Sequence, residues 1–431
     1  NPNVTVDASN CIAGCPDPSF GPSAVLDLAS RTTVLAQGVV TLPPSGANIQ
    51  AIALQNFAGE QQIVGLIWPW TLVGYRFTSG GAELNPEFGS AGFVTKAIKF
   101  GAAYHLVAQP DNRLLVAGSL SSTRQGNTTL TVVRYTPDGR TDASFGQNGA
   151  VSLPTFSGAS AVCLQPDGTI LIAVSGVLTG RVIRLTASGV LDTSFGIGGL
   201  AAVTGTSGLS SLTLQPVTNA DGNLENKIVA SGWSDASVNG TFRTKGSLVR
   251  LNADGTRDWT FAGGSGAAEM DVADAHGVSF KRVALASASR IVVAGTIAYR
   301  LSNNSLDQHV LVARYDSGGL PDPDFGTFTR TTPAMVTDDA AVDADGRILV
   351  VGHPGAGRGL LAWRLLDTGG ADPTFGENGL MANITMYPGL SEGSHVAVVD
   401  GGSKFLVGGG AIVQQGKRTL TEVAALGRFL Q

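Results

Sequence analysis

Apolar residues recur along this chain in short alternating or β-branched runs, each closed by a turn rich in Gly, Pro and Asp, and helical spacing is not sustained at useful length. The best-ordered stretch predicts four strands at about His105–Gln109, Arg113–Gly118, Thr129–Tyr135 and Gly149–Leu153. Pro110-Asp111-Asn112 separates the first two strands, a hairpin signal because Pro presets one turn dihedral and Asn or Gly tolerates positive φ. Similar pieces run over Val162–Val174, Leu212–Gly232, Val283–Gly295, Ala341–Gly352 and Val396–Gly408, while Ile52–Leu66 has lost the Pro-Asp-Gly turn.

A second mark follows each of these runs. An Arg and a large apolar residue end a strand, a Gly-bearing turn follows, and Asp-x-x-Phe-Gly closes the unit, as in Arg134, Asp142 and Phe145. The same set recurs at Arg184, Asp192 and Phe195, at Arg250, Asp258 and Phe261, at Arg314, Asp322 and Phe325, and at Arg364, Asp372 and Phe375. Arg76, Asn85 and Phe88 form a variant; Asp17 and Phe20 have no Arg before them, and Arg428 has no Phe after it. Successive Phe positions lie between 50 residues (Phe145 to Phe195) and 68 residues (Phe20 to Phe88) apart. A period of that size with four strands per unit predicts propeller blades.

The unmatched ends fit one arrangement. The last unit supplies three strands and residues 17–30 the missing fourth, so the expected fold is all-β: a seven-bladed β-propeller of four antiparallel strands per blade. The ring is closed by the N-terminal strand, which leaves no open sheet edge. Residues 1–431 then form one domain, with 1–16 as an N-terminal extension.

Val133-Arg134-Tyr135 through Gly146, and Leu164-Gln165-Pro166-Asp167-Gly168-Thr169-Ile170-Leu171, resemble the delta-60 repeat, a bacterial β-propeller repeat. The resemblance covers nearly the whole chain, is weakest in the first unit and around Trp259 and Ala262, and implies a bacterial protein that is secreted or exposed at the cell surface. It carries no catalytic residues with it. The recurring Arg could form a ring of anion-binding cations, but each has a carboxylate or amide partner three residues before a Phe. An Arg–carboxylate pair fastening neighbouring turns is the reading adopted.

Composition narrows the function classes. With 43% apolar residues in 431 a large core can be buried, while 14% charged residues and a net charge of −5 leave no footprint for nucleic acid. The longest uncharged apolar stretch, residues 63–75, is too short to span a bilayer and contains Pro69. Cys11 and Cys15 flank a three-residue loop and are expected to form a disulfide, favouring an oxidising compartment; Cys163 reads as a small buried hydrophobe. The polar segment before the first repeat is what either cleavage of a secretion signal or trimming of a longer chain would leave.

The blade turns between strands one and two and between three and four are regular, so function is expected on the opposite, irregular face. That face offers Trp68, Trp70, Tyr104, His105, Trp233, His276, Asp338, Asp339 and His395 as binding candidates. The three Trp either stack on sugar rings or lie buried between blades. Asp274, His276, Asp338, Asp339 and His395 come from consecutive units and could hold calcium or another divalent ion at a channel mouth, although no cofactor is required by the pattern. Two functions remain: a monomeric, non-catalytic module binding a protein or glycan, or a metal-assisted hydrolase or lyase. Convergence of Asp274, Asp338, Asp339 and His395 distinguishes the second.

Overall fold

The computed structural model describes residues 22–27, 32–37, 39–45, 49–78, 81–96, 100–121, 128–174, 179–219, 221–238, 241–287, 289–330, 333–355, 360–384, 395–399, 404–415 and 419–430. They form an all-β propeller fold, without an α-helix among the described residues. Its repeating unit is clearest in the sheet of Phe100–Ala108, Leu114–Ser121, Thr129–Tyr135 and Ala150–Leu153, all antiparallel. The first strand begins five residues before the predicted His105, and the other three match closely. The two middle strands are apolar on both faces because each face packs on a neighbouring sheet: Val116 and Val133 meet Phe88 and Leu72 on one side, and Leu115 and Val132 meet Ile170 and Ile183 on the other. The core is thus a series of layers between sheets.

Seven separate four-stranded sheets are predicted by the repeat; the structure has four of them, at 100–153, 161–203, 335–384, and at 395–430 with an added N-terminal strand. The 208–330 region is instead one eight-stranded sheet, because Gly277 pairs with Thr244 of the preceding unit through a single parallel bridge. The 49–95 sheet has five strands, because Gly81–Leu84 and Phe93–Thr95 both pair with Thr71–Thr78. The added strand beside Thr419–Leu430 is Val39–Ser45, where residues 17–30 were expected. Pro22–Asp27 pairs with Thr32–Gln37 in a hairpin of its own. Leu406 of the last sheet packs among Ile49, Ile63 and Ile67 of the 49–95 sheet.

The repeated Arg is a fastener between units. Arg134 donates from Nε to Asp142 at 2.7 Å, from Nη2 to Ser144 at 3.1 Å, and from Nη1 to the Ala187 carbonyl of the next sheet at 2.6 Å. Its guanidinium lies 4.6 Å from the centre of the Phe145 ring. Arg184 repeats this with Asp192 and the Ala253 carbonyl, Arg250 with Asp258 and the Ser317 carbonyl, and Arg314 with Asp322 and the Asp367 carbonyl. Arg364 keeps its Asp372 partner and its place over Phe375. The turn glycine of each following unit rests on the preceding Phe: a Cβ on Gly189 (φ +86) would come within 2.8 Å of the Phe145 ring.

The 49–95 sheet departs from this pattern. Arg76 pairs with Glu83 at the surface, Asn85 donates to Gln62 at 2.7 Å, and Gln55 takes over the cross-sheet bond to the Pro137 carbonyl at 2.8 Å. The side chains of Asp17, Phe20 and Arg428, and the Cys11–Cys15 pair, lie outside the described residues. Cys163 is unpaired, and burial pushes its thiol up to about 11.

Candidate functional site

The first strands of the units, which hold Tyr104, His105, Asp338, Asp339 and His395, lie side by side, with Ile49–Phe57 also beside His395–Val399. Near the start of five of them the pairing register slips by one residue, leaving Gln50, Tyr104, Ser210, Lys281 and Asp338 unpaired. Such a bulge turns a side chain out of the sheet plane. It also explains the Gly that ends the second-strand run in several units. A Cβ on Gly118, Gly232, Gly295 or Gly352 would lie within about 2.0 to 2.3 Å of a first-strand carbonyl oxygen.

Around these bulges the charged candidates are tied to one another. Asp338 accepts from His353 Nδ1 at 3.0 Å. The buried Asp339 faces Arg282 Nε at 3.3 Å and His395 Nδ1 at 3.6 Å, and accepts from the Ala340 and Val396 amides at 2.9 and 3.2 Å. Burial alone would raise the Asp339 carboxyl, but Arg282, His395 and the Ala340 amide outweigh it and hold it down to about 2. His105 is lowered to about 4, first by burial and then by the nearby charges of His395, Arg282 and Lys281. At neutral pH it is therefore the uncharged imidazole, whose Nε2–H donates to the Ala159 carbonyl at 3.2 Å.

The possible metal ligands do not gather: among the described residues no group of three His, Cys, Asp or Glu side chains is placed to hold a metal ion. Asp338 and Asp339 are neighbours in sequence but turn to different partners, because the bulge at Asp338 re-aims its side chain. His276 instead lies against Arg300, 3.1 Å from its Nη2. Asp274 occupies a turn with φ +64, outside any such group.

The three Trp candidates separate. Trp70 is fully buried, donating from Nε1 to Tyr135 Oη at 3.2 Å, so it is a core residue and not a ligand platform. Trp233 is half-buried over Gly208, where a Cβ would meet its ring at 2.2 Å. Trp68 is 50% exposed at a hairpin tip, and Tyr104 is 42% exposed at its bulge. Tyr104 borders a shallow groove of about 330 Å³ whose other side chains include Ser119, Thr128, Ser157 and Ser160. Sequence reasoning missed Lys281, Arg282 and Ser160; Gly295, opposite the bulge at Lys281, marks where the first two fall, whereas Ser160 precedes a strand whose pairing has no slip.

A family model described as a β-propeller domain of unknown function (DUF5122) matches residues 109–145, 165–195 and 226–261, in keeping with the propeller fold. No curated protein matches the sequence. Among solved structures, YCF48 bound to a D1 peptide is similar at 13% identity, with 95% of this chain and 98% of that chain covered and a TM-score of 0.42. The GH74 xyloglucanase from Xanthomonas campestris is similar at 11% identity, 86% and 53% coverage and a TM-score of 0.45. A protein of unknown function from Bacteroides caccae is similar at 13% identity, 72% and 93% coverage and a TM-score of 0.32.

Proposed function

We propose that this chain is a non-catalytic binding module that recognises a protein or glycan through its irregular loop face, at the end where the first strands begin. The observation that carries this reading is the division of labour on that face. Its carboxylates and imidazoles are engaged by neighbours (Asp338 with His353, Asp339 with Arg282 and His395, His105 with the Ala159 carbonyl), while Trp68 and Tyr104 stand open to solvent. A hydrolytic site needs a base free to take a proton and a partner that orients it. A metal-assisted version needs Asp274, Asp338, Asp339 and His395 together, and among the described residues no three such side chains form a metal-holding group, although His395 lies 3.6 Å from Asp339.

Several finer features belong to the same proposal. The chain is read as a delta-60 repeat protein of seven blades, the two hairpin systems of the eight-stranded sheet counting as two. Closure of the ring through Val39–Ser45 is supported by its pairing with the last strand and by the packing of Leu406 on Ile49. Placement of the protein outside a bacterial cell or at its surface, with a Cys11–Cys15 disulfide, completes the reading.

Peptide and glycan arrays probed with labelled full chain test it. Binding is expected that a Trp68→Ala/Tyr104→Ala double variant reduces and an Ile197→Ser variant does not, since Ile197 is 89% exposed in an Asp-x-x-Phe-Gly turn on the opposite, regular face. Loss on Ile197→Ser alone, or absence of any signal, overturns it.

A further inference from the structure

The geometry points to a subsite for a neutral, hydroxylated sugar in the groove between the 100–153 and 161–203 sheets. This rests on the binding-module reading and names its ligand class. The groove has one aromatic wall, Tyr104, set outward by the bulge at the Ala117/Gly118 step. Four hydroxyl side chains, Ser119, Thr128, Ser157 and Ser160, and the Ala159 methyl complete its side-chain lining among the described residues, and no carboxylate, ammonium, guanidinium or imidazole belongs to that described lining. Its volume of about 330 Å³ lies at the small end of the roughly 300–1,000 Å³ of small-molecule sites. An aromatic face beside several hydroxyls matches the apolar face and the polar edge of a sugar ring.

A second observation points the same way. The Ser160 hydroxyl is buried and has no hydrogen-bond partner among the described residues. An unpaired buried hydroxyl is costly, and a serine can exchange staggered rotamers to reach a ligand atom. The surrounding wall is fixed: the Ser160 amide donates to the Ala173 carbonyl at 2.8 Å, and the neutral His105 holds the Ala159 carbonyl. Gly158 brings the chain close, since a Cβ there would meet Ser119 Cβ at 3.3 Å. The groove is thus built before any ligand arrives, with one donor left over.

Calorimetric titration of the full chain with neutral gluco-, manno-, xylo- and galacto-oligosaccharides, with oligogalacturonate, and with an uncharged peptide tests the inference. At least one neutral series should bind. Tyr104→Ala should weaken it by about tenfold, and Tyr104→Phe should restore most of the loss. Ser160→Ala should weaken it several-fold while leaving the unfolding midpoint unchanged or raised, because it removes an unpaired hydroxyl. Sugar binding indifferent to both positions overturns the subsite, and equal binding of oligogalacturonate overturns the neutral class. If only peptides bind the irregular face, the sugar inference fails while the binding module stands; if nothing binds, both fall.

Discussion

Arg250 and Arg76 occupy the same place in the repeat, yet the structure predicts very different costs for removing them. Arg250 is 4% exposed and donates to Asp258 at 2.7 Å, to Gln215 at 2.9 Å and to the Ser317 carbonyl of the following unit. Arg250→Ala strands the Asp258 carboxylate, itself 3% exposed, and leaves the Ser317 carbonyl without its guanidinium donor. Breaking a buried ion pair by deleting one partner costs about 3–5 kcal/mol. Loss of a Phe261 ring contact at 4.6 Å adds on the order of 0.5–1 kcal/mol. Asp258 keeps the Thr260 amide and hydroxyl at 3.0 and 2.6 Å and Lys227 at 3.8 Å, which places the expected loss near the lower end of that range. In the Arg76–Glu83 pair the side chains are 40% and 50% exposed, so Arg76→Ala should cost about 0–1 kcal/mol. Urea unfolding followed by intrinsic fluorescence, with a check that the transition slope is unchanged, reads both values. Hydrogen exchange at the Gly319 and Ala262 amides should report opening near the 250–317 contact in the first variant only. Equal losses from the two substitutions would refute the assignment of the repeated Arg as an inter-unit fastener.

The other expectations are narrower. Gly295→Ala should destabilise by about 2–4 kcal/mol or prevent folding, because its Cβ would lie 2.1 Å from the Ser279 carbonyl oxygen. Gly65→Ala, whose Cβ meets only Ile49 Cδ1 at 3.9 Å, should change the urea midpoint little or raise it. Trp70→Ala should cost about 3–5 kcal/mol, whereas Trp68→Ala should leave the midpoint within about 0.5 kcal/mol of wild type. His105 titrates at about 4 in the folded protein and near 6.5 unfolded, so the unfolded chain takes up the proton first. Its stabilising contribution is complete above pH ~6.5 and declines as pH falls toward 4; a midpoint-against-pH curve should lose that component in His105→Gln. Asp339 acts in a lower window: with a folded value of about 2, its contribution is present above pH ~4 and lost as pH falls through 2.

The propeller architecture was legible because each unit repeats the same local chemistry. Pro-Asp-Gly, Arg and Asp-x-x-Phe-Gly fall at element ends, where turn geometry restricts the residues allowed. Sheet boundaries were less legible. The fusion at Thr244–Gly277 arises because Leu224–Val238 and Thr241–Leu251 form a long hairpin reaching past the four-residue strand Ala267–Met270 to the next unit. Strand length of that kind leaves no turn mark of its own. The strand beside Thr419–Leu430 was not legible, because residues 17–30 carry the Asp and Phe marks, whereas Val39–Ser45 pairs by backbone and carries neither. On the irregular face, residue type named Tyr104, His105, Asp338, Asp339 and His395 but not their companions. Arg282 falls on a bland strand segment and Ser160 on the connection just before Ala161–Leu164, and only the one-residue slip opposite Gly295, or the side-by-side placement of first strands, brings them into play.

In each fully formed fastener between neighbouring units, the acceptor is a main-chain carbonyl: Ala187, Ala253, Ser317 and Asp367 receive an Arg, and Pro137 receives Gln55 where the Arg has turned away. A joint of this kind does not ask which side chains its neighbour carries; it asks only that a turn of the right shape be present. Units with such joints are interchangeable parts. One can be duplicated, or its exposed loops rewritten, without a matching change in the next. A lineage can therefore diversify the open face one loop at a time while the frame beneath it stays in register.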